Sequence, residues 1–218
     1  MSILPNQRGA HEAASPFSTH EVARSKAYFL GVGLVLRRLP FAVIDRVTDA
    51  LWTAYLERKT VYVFGNGGSA ALASHCACDL GKGTTVNGNR RFRVLALTDN
   101  IPLMTAWAND ASYDDIFAEQ LTPFIDKGDI ALAISGSGNS PNVLKALEVA
   151  REAGAFTIGL TGFQGGKMKT LCDLCVIIPS DNMQVIEDLH VSVNHSVFTS
   201  LRSRMLEAAA QDLIRKQA

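Results

Sequence analysis

Two pairs of side chains in this sequence have the types and spacings that proton-transfer chemistry uses. His75 and Asp79 lie four residues apart in a segment that reads as a helix, SAALASHCACDLG, and therefore share a face. Glu187 and His195 lie eight apart in a second helical stretch. At 3.6 residues per turn that is about 80° of rotation, again one side of the helix, while His190 points elsewhere. Brought together, the pairs supply two imidazoles and two carboxylates, a ligand set suited to zinc or another divalent ion. Moving a proton between adjacent carbons needs the same groups: a base for the carbon-bound proton and an acid or metal for the oxygens. Each residue also has a plain structural use. His75 can be a core histidine, Asp79 a charged helix end before Gly81 and His195 an interface residue, while Glu187 and Asp188 suit the start of a helix because of its dipole. Spacing leaves both uses open.

Ahead of His75 stands GNGGS, residues 65–69, directly after the apolar run TVYVF. Glycines after a strand let backbone amides approach a ligand, and the following helix aims its unpaired N–H groups at the same point. Asn66, Gly67, Gly68 and Ser69 are thus candidate anion-binding residues. The spacing is not G-x-G-x-x-G and there is no Walker lysine, so a dinucleotide or P-loop reading fails. Seventy residues on, ISGSGNSPNVLKAL repeats the arrangement, with Ser135, Ser137 and Ser140 around Gly136 and Gly138 and Pro141 in the first helical turn. Hydroxyls and amides without lysine or arginine suit a phosphate monoester. Asp99, Asn109 and Asp110 read equally as loop caps or as partners of ligand hydroxyls. Trp107 and Tyr113 read as packing.

These loops need a scaffold that brings two strand ends together. Beyond Lys59 short β-branched runs alternate with helical segments: TVYVFG, RVLALTDN, DIALAISGSG, FTIGLTG and LCVIIPS. Five buried strands spaced by helices predict an α/β fold, a doubly wound five-stranded parallel sheet. Such sheets bind ligands beyond the carboxyl ends of their strands. Before the sheet, STHE opens a helix with a capping box (Ser18, Glu21) that runs from Thr19 to Leu39 and stops at Pro40. A second helix over 42–57 carries Val43, Val47, Leu51 and Tyr55 on one face, and a long helix over 183–216 closes the chain. Residues 1–18 lack periodicity and read as a mobile arm, and 19–218 read as one domain.

Composition narrows the function classes. Of 218 residues 47% are hydrophobic, enough for an ordinary core. Lys plus Arg equals Asp plus Glu, 21 each, so no global field attracts nucleic acid or an anionic membrane, and polyanion binding has to be local. With no basic start followed by an apolar run and no membrane-length segment, a cytoplasmic chain is expected. Cys76, Cys78, Cys172 and Cys175 form no disulfide framework and read as small buried hydrophobes, with metal or redox roles secondary.

The strand-GNGGSA-helix and strand-SGSGNS-helix pair, together with LTDN, WANDASYDDIF, LTGFQGGKM and a terminal helix bearing a histidine, resembles the sugar isomerase (SIS) fold, and within it the phosphoheptose (sedoheptulose 7-phosphate) isomerase group. The similarity spans about residues 20–210. It implies an isomerase that interconverts sedoheptulose 7-phosphate and D-glycero-D-manno-heptose 7-phosphate through an enediol, for surface-polysaccharide precursors. It further implies a homotetramer with active sites shared between subunits, contacts through the terminal helices, and no nucleic-acid or membrane partner. By resemblance His75, Asp79, Glu187 and His195 occupy the group's metal and acid/base positions, with Asp79 and His195 as acid/base and zinc as the expected ion. Substrate contacts fall to Asn66, Gly67, Gly68, Ser69, Asp99, Asn109, Asp110, Ser135, Ser137, Ser140 and Glu187. Four features depart from the group: Asp79 stands for a glutamate, Glu187 for a glutamine, Gly136 for a threonine, and Gln184–Val185 for an acidic-basic pair. The alternative is a non-catalytic SIS regulator of the replication-initiator-associating type, or an isomerase of another sugar phosphate.

Overall fold

The computed structural model describes residues 19–86 and 89–217, and for 19–23 and 212–217 the backbone alone. The expected arm over 1–18 and the Ser18–Glu21 capping box lie outside the described residues and side chains. Helix α1 covers Thr19–Leu36 and α2 Phe41–Leu56. The first ends earlier than its periodicity predicts because Leu39 precedes Pro40, and a residue before proline is pushed out of the helical region. Leu39 is left in a turn, its N–H reaching Leu36 O at 3.4 Å.

Five strands follow in alternation with helices: β1 Thr60–Gly65, β2 Arg93–Ala96, β3 Ile130–Ile134, β4 Phe156–Thr161 and β5 Leu174–Ile177. They form one parallel sheet in the order β2-β1-β3-β4-β5. Between them run α3 Gly68–Cys78, α4 Ile101–Asp110, α5 Ala118–Leu121, α6 Pro141–Glu152 and α7 Met168–Leu171, and α8, Met183–Gln217, closes the chain. Strand residues alternate between two cores. Val61 and Val63 face a layer that includes α2, α3 and α8 as far as Met205, whereas Tyr62 and Phe64 face α5, α6 and α7. Residues buried on both faces of a parallel sheet explain the continuous apolar runs.

On α2 the expected face is inside: Val47, Leu51 and Tyr55 are buried and Val43 is partly so. Helix α1 differs, leaving Phe29, Leu30 and Leu34 from 62% to 70% exposed. The four cysteines correct the expectation of uniform burial: Cys76 faces the sheet, Cys78 is exposed and the other two are half-buried. Residues two apart on a helix face opposite ways, so Cys76 and Cys78 cannot both be inside. No single described helix is long and apolar enough to cross a membrane.

Candidate active site

The sheet order places the two glycine-serine loops side by side. Strands β1 and β3 are neighbours, yet the chain leaves β1 toward β2 and β3 toward β4, on opposite sides. This is the topological switch point, where the loops at the carboxyl ends part and leave a crevice. Backbone geometry in both loops demands glycine. Gly67 sits at φ 56° and Gly138 at φ 65°, and a Cβ on Gly138 would overlap the carbonyl of Gly165.

A pair of amides fastens the loops together. Asn66 Nδ2 donates to Asn142 Oδ1 at 2.8 Å, and Asn142 Nδ2 returns a bond to Asn66 Oδ1 at 2.9 Å. Tyr113 Oη donates to the same Asn66 oxygen at 3.1 Å, so this tyrosine, read from sequence as packing, belongs to the site. Trp107 does pack, against the second core. In the serine loop Ser135 and Ser140 hydroxyls lie 3.1 Å apart, and Ser137 Oγ accepts from Asn139 N at 3.3 Å. Thr161 Oγ1 donates to Gly136 O at 3.2 Å, and the buried His190 holds the Thr161 carbonyl through Nε2 at 3.1 Å. Burial pushes the His190 imidazole down to about 4, since an apolar surround disfavours its charged form. Gly136, in place of a threonine, is matched to α8: a Cβ there would stand 2.5 Å from Met183 Sδ.

Helix α3 carries the chemistry away from the first loop. His75 Nε2 lies 2.8 Å from His195 Nε2, and Asp79 Oδ2 lies 3.4 Å from the first imidazole and 3.9 Å from the second. Ligand atoms on a tetrahedral ion with arms of about 2.1 Å are separated by about 3.4 Å, so the three donors fit a zinc-type site with one position open. Asp79 begins a π-type turn, Asp79–Gly83, in which the backbone leaves α-helical register. Asn194 Nδ2, absent from the sequence expectation, donates to Asp79 Oδ2 at 2.9 Å. The turn and this amide together deliver a carboxylate one methylene short of glutamate.

Glu187 lies apart from these three within the chain. Its carboxylate packs against Gly68, where a Cβ would meet Oε1 at 3.2 Å, and it lines a hollow of about 220 Å³ with Ser69, Leu72, Asp188 and His190. Eight residues of helix rise about 12 Å, so a shared face does not mean a shared depth. Val185 is buried in the core, and Gln184 is exposed. Asp99 accepts from Ser74 on α3, which ties the end of β2 to the turn before His75. Asn109 and Asp110 bond each other at the end of α4, at 2.7 Å.

The SIS-domain profile matches residues 29–162. The chain belongs to the SIS-domain family. The phosphoheptose isomerase of Rhodospirillum rubrum is 47% identical over 131 residues, 60% of this chain and 69% of that one. The phosphoheptose isomerase of Paramagnetospirillum magneticum is 42% identical over 181 residues, 83% of this chain and 92% of that one. Among solved structures, the phosphoheptose isomerase of Neisseria gonorrhoeae superposes with a TM-score of 0.78 at 26% identity, covering 84% of this chain and 98% of that one. Both of these curated relatives of the SIS-domain chain carry the name of one enzyme group.

Proposed function

We propose that this SIS-domain chain is a phosphoheptose isomerase, interconverting sedoheptulose 7-phosphate and D-glycero-D-manno-heptose 7-phosphate. The observation that carries the reading is a pair of polar groupings at the two ends of α3. Facing donor loops lie at the tips of β1 and β3, and His75, Asp79 and His195 cluster further along α3. Seven residues of helix separate Gly68 from His75, about 10 Å of rise, on the scale of an extended seven-carbon chain with phosphate at one end.

In this reading the amides and hydroxyls of Ser69, Ser135, Ser137 and Ser140 hold the phosphate, with Asn66 fixing the loop pair. The carbonyl end of the sugar then reaches the cluster. Asp79 turns Oδ2 to the imidazoles and Asn194, leaving Oδ1 to take the carbon-bound proton. His195 exchanges a proton with the substrate oxygen, which makes the pair the acid and base of an enediol mechanism. Zinc held by His75, Asp79 and His195 would polarise the substrate oxygens in place of that proton, since Nε2 of His195 can hold one or the other. Glu187, beside the start of α3, suits a sugar hydroxyl rather than the ion. Asp99, Asn109 and Asp110 are further candidates for hydroxyl contacts.

The exposed apolar face of α1 supports assembly through the terminal helices into a homotetramer. A phosphorylated sugar does not cross a bilayer unaided, which supports a cytoplasmic reaction, where sugar phosphates are made. A catalytic role is favoured over a binding-only one because the histidine pair and its carboxylate are in contact. The test is NMR of sedoheptulose 7-phosphate in deuterated buffer with the zinc-loaded protein. Exchange of the C1 proton for deuterium, with growth of aldoheptose signals, is expected. A spectrum unchanged over hours with active protein concentrations overturns the assignment.

A further inference from the structure

We propose that a hollow at the amino ends of β1 and β2 binds a small ligand carrying two or more linked phosphate groups, a diphosphate or triphosphate. The hollow, about 280 Å³, is lined by Tyr55, Arg58, Lys59, Arg90, Arg91 and Arg93: five cations, one phenol and no carboxylate. It adjoins a second hollow of about 580 Å³ that shares Arg58, Lys59 and Arg93 and adds Phe92, Leu95 and three carboxylates, Glu57, Asp126 and Asp129, none of them in an ion pair with the five cations. Both lie at the opposite end of the sheet from the phosphate loops, because Thr60 and Arg93 begin their strands whereas the loops follow strand ends.

Three observations converge. First, the chain carries no net charge, so five cations around one cavity are a strong local departure, and their mutual repulsion is a cost that an anion would remove. No ion pair among the described residues involves any of the five. Second, the neutral contacts present orient these side chains without neutralising them. The Arg90 guanidinium lies 5.6 Å from the centre of the Tyr55 ring and donates to Leu56 O at 3.3 Å, and Lys59 Nζ donates to Lys127 O at 2.7 Å.

Third, Arg58 occupies a backbone position built for glycine. Helix α2 ends in a Schellman motif, in which Lys59 N reaches Ala54 O at 2.8 Å and Arg58 N reaches Tyr55 O at 3.3 Å. That geometry holds Arg58 at φ 62°, where a residue with a Cβ is strained by about 1 kcal/mol and glycine is not. An arginine at such a site, lining a cationic hollow, is accounted for by what its guanidinium binds. Five cations exceed what one monoester requires, which favours linked phosphates. Their confinement to one cavity favours a small ligand over a nucleic-acid strand.

The proposal stands apart from the isomerase reading and fails separately from it. Calorimetric titration of the full chain with sodium pyrophosphate, at ionic strength held constant with sodium chloride, should show saturable binding at one site per chain and a raised melting temperature. Orthophosphate should bind more weakly. A nucleoside triphosphate binding more tightly than pyrophosphate makes the source a nucleotide, and equal affinity makes it the phosphate chain alone. Arg58→Gly should keep or raise the melting temperature of the unliganded protein yet weaken pyrophosphate at least about 10-fold, and Arg91→Glu should weaken it likewise. Ser135→Ala should leave pyrophosphate affinity unchanged. Loss of binding in Ser135→Ala but not in Arg58→Gly, a response that sodium chloride reproduces, or binding seen only with oligonucleotides and growing with their length would each overturn the proposal.

Discussion

Around the tips of β1 and β3 the polar atoms are tied to one another. Asn66 and Asn142 exchange two hydrogen bonds, Ser135 meets Ser140, and His190 and Thr161 brace Gly136 from behind. Around His75 the construction is looser: the two imidazoles are 46% and 51% exposed, and Asn194 is the neighbour that fixes the Asp79 carboxylate by a hydrogen bond. The first region is set by backbone conformation, which admits few alternatives, and the second by rotamers on two helices. Under the proposed function, a change of one methylene at position 79 is therefore easier to accommodate than a Cβ at Gly67 or Gly138.

The sharpest break of that contrast removes one carboxylate oxygen. Asp79→Asn should lower kcat about 10²- to 10⁴-fold in a heptose-forming assay, with a melting temperature close to that of the parent, because an amide can still accept from Asn194. An unaltered kcat would take Asp79 out of the acid/base pair. Changing the other region should do the reverse. Gly138→Ala forces a Cβ into a left-handed residue and onto Gly165, a combined cost of about 2–4 kcal/mol. The melting temperature should fall and KM rise, with kcat at saturation changing little. A stable variant with parental KM would show that the serine loop does not hold the phosphate.

A smaller effect probes the brace behind the loop. His190 has a folded pKa of about 4 against 6.5 in the unfolded chain, so between these values the unfolded state binds a proton that the folded state does not. Stability should be level above pH 6.5 and decline as pH falls toward 4, by at most about 3 kcal/mol. Urea unfolding followed across that window in the parent and in His190→Gln measures it. Equal slopes would mean that the imidazole is not the group responsible.

Much of this organisation is legible in the residue order. Alternating apolar runs and helical segments predict the five parallel strands, and Gly and Ser after β1 and β3 mark the candidate anion loops. The four-residue spacing of His75 and Asp79 places them on one face, and the side chains do meet. The eight-residue spacing of Glu187 and His195 was a weaker guide, since angular periodicity carries no depth and Glu187 ends near Gly68. Asn142, Tyr113 and Asn194 gave no signal of their own. An asparagine in a first helical turn, or a tyrosine in a loop, is ordinary until a partner from a distant segment stands opposite it.

What the sequence by itself determined is local: strand and helix types, the left-handed turns at Gly67 and Gly138, and residues that share a helix face. Those follow from backbone sterics and from the 2.0 and 3.6 periods of side-chain direction. Tertiary structure alone decided which distant groups meet. Strand order brought Asn66 to Asn142, the parallel course of α3 and α8 set His75 against His195, and the return of β2 beside β1 gathered arginines from 58 and from 90–93 around one cavity. Such contacts depend on the packing of whole elements, which no spacing along the chain encodes.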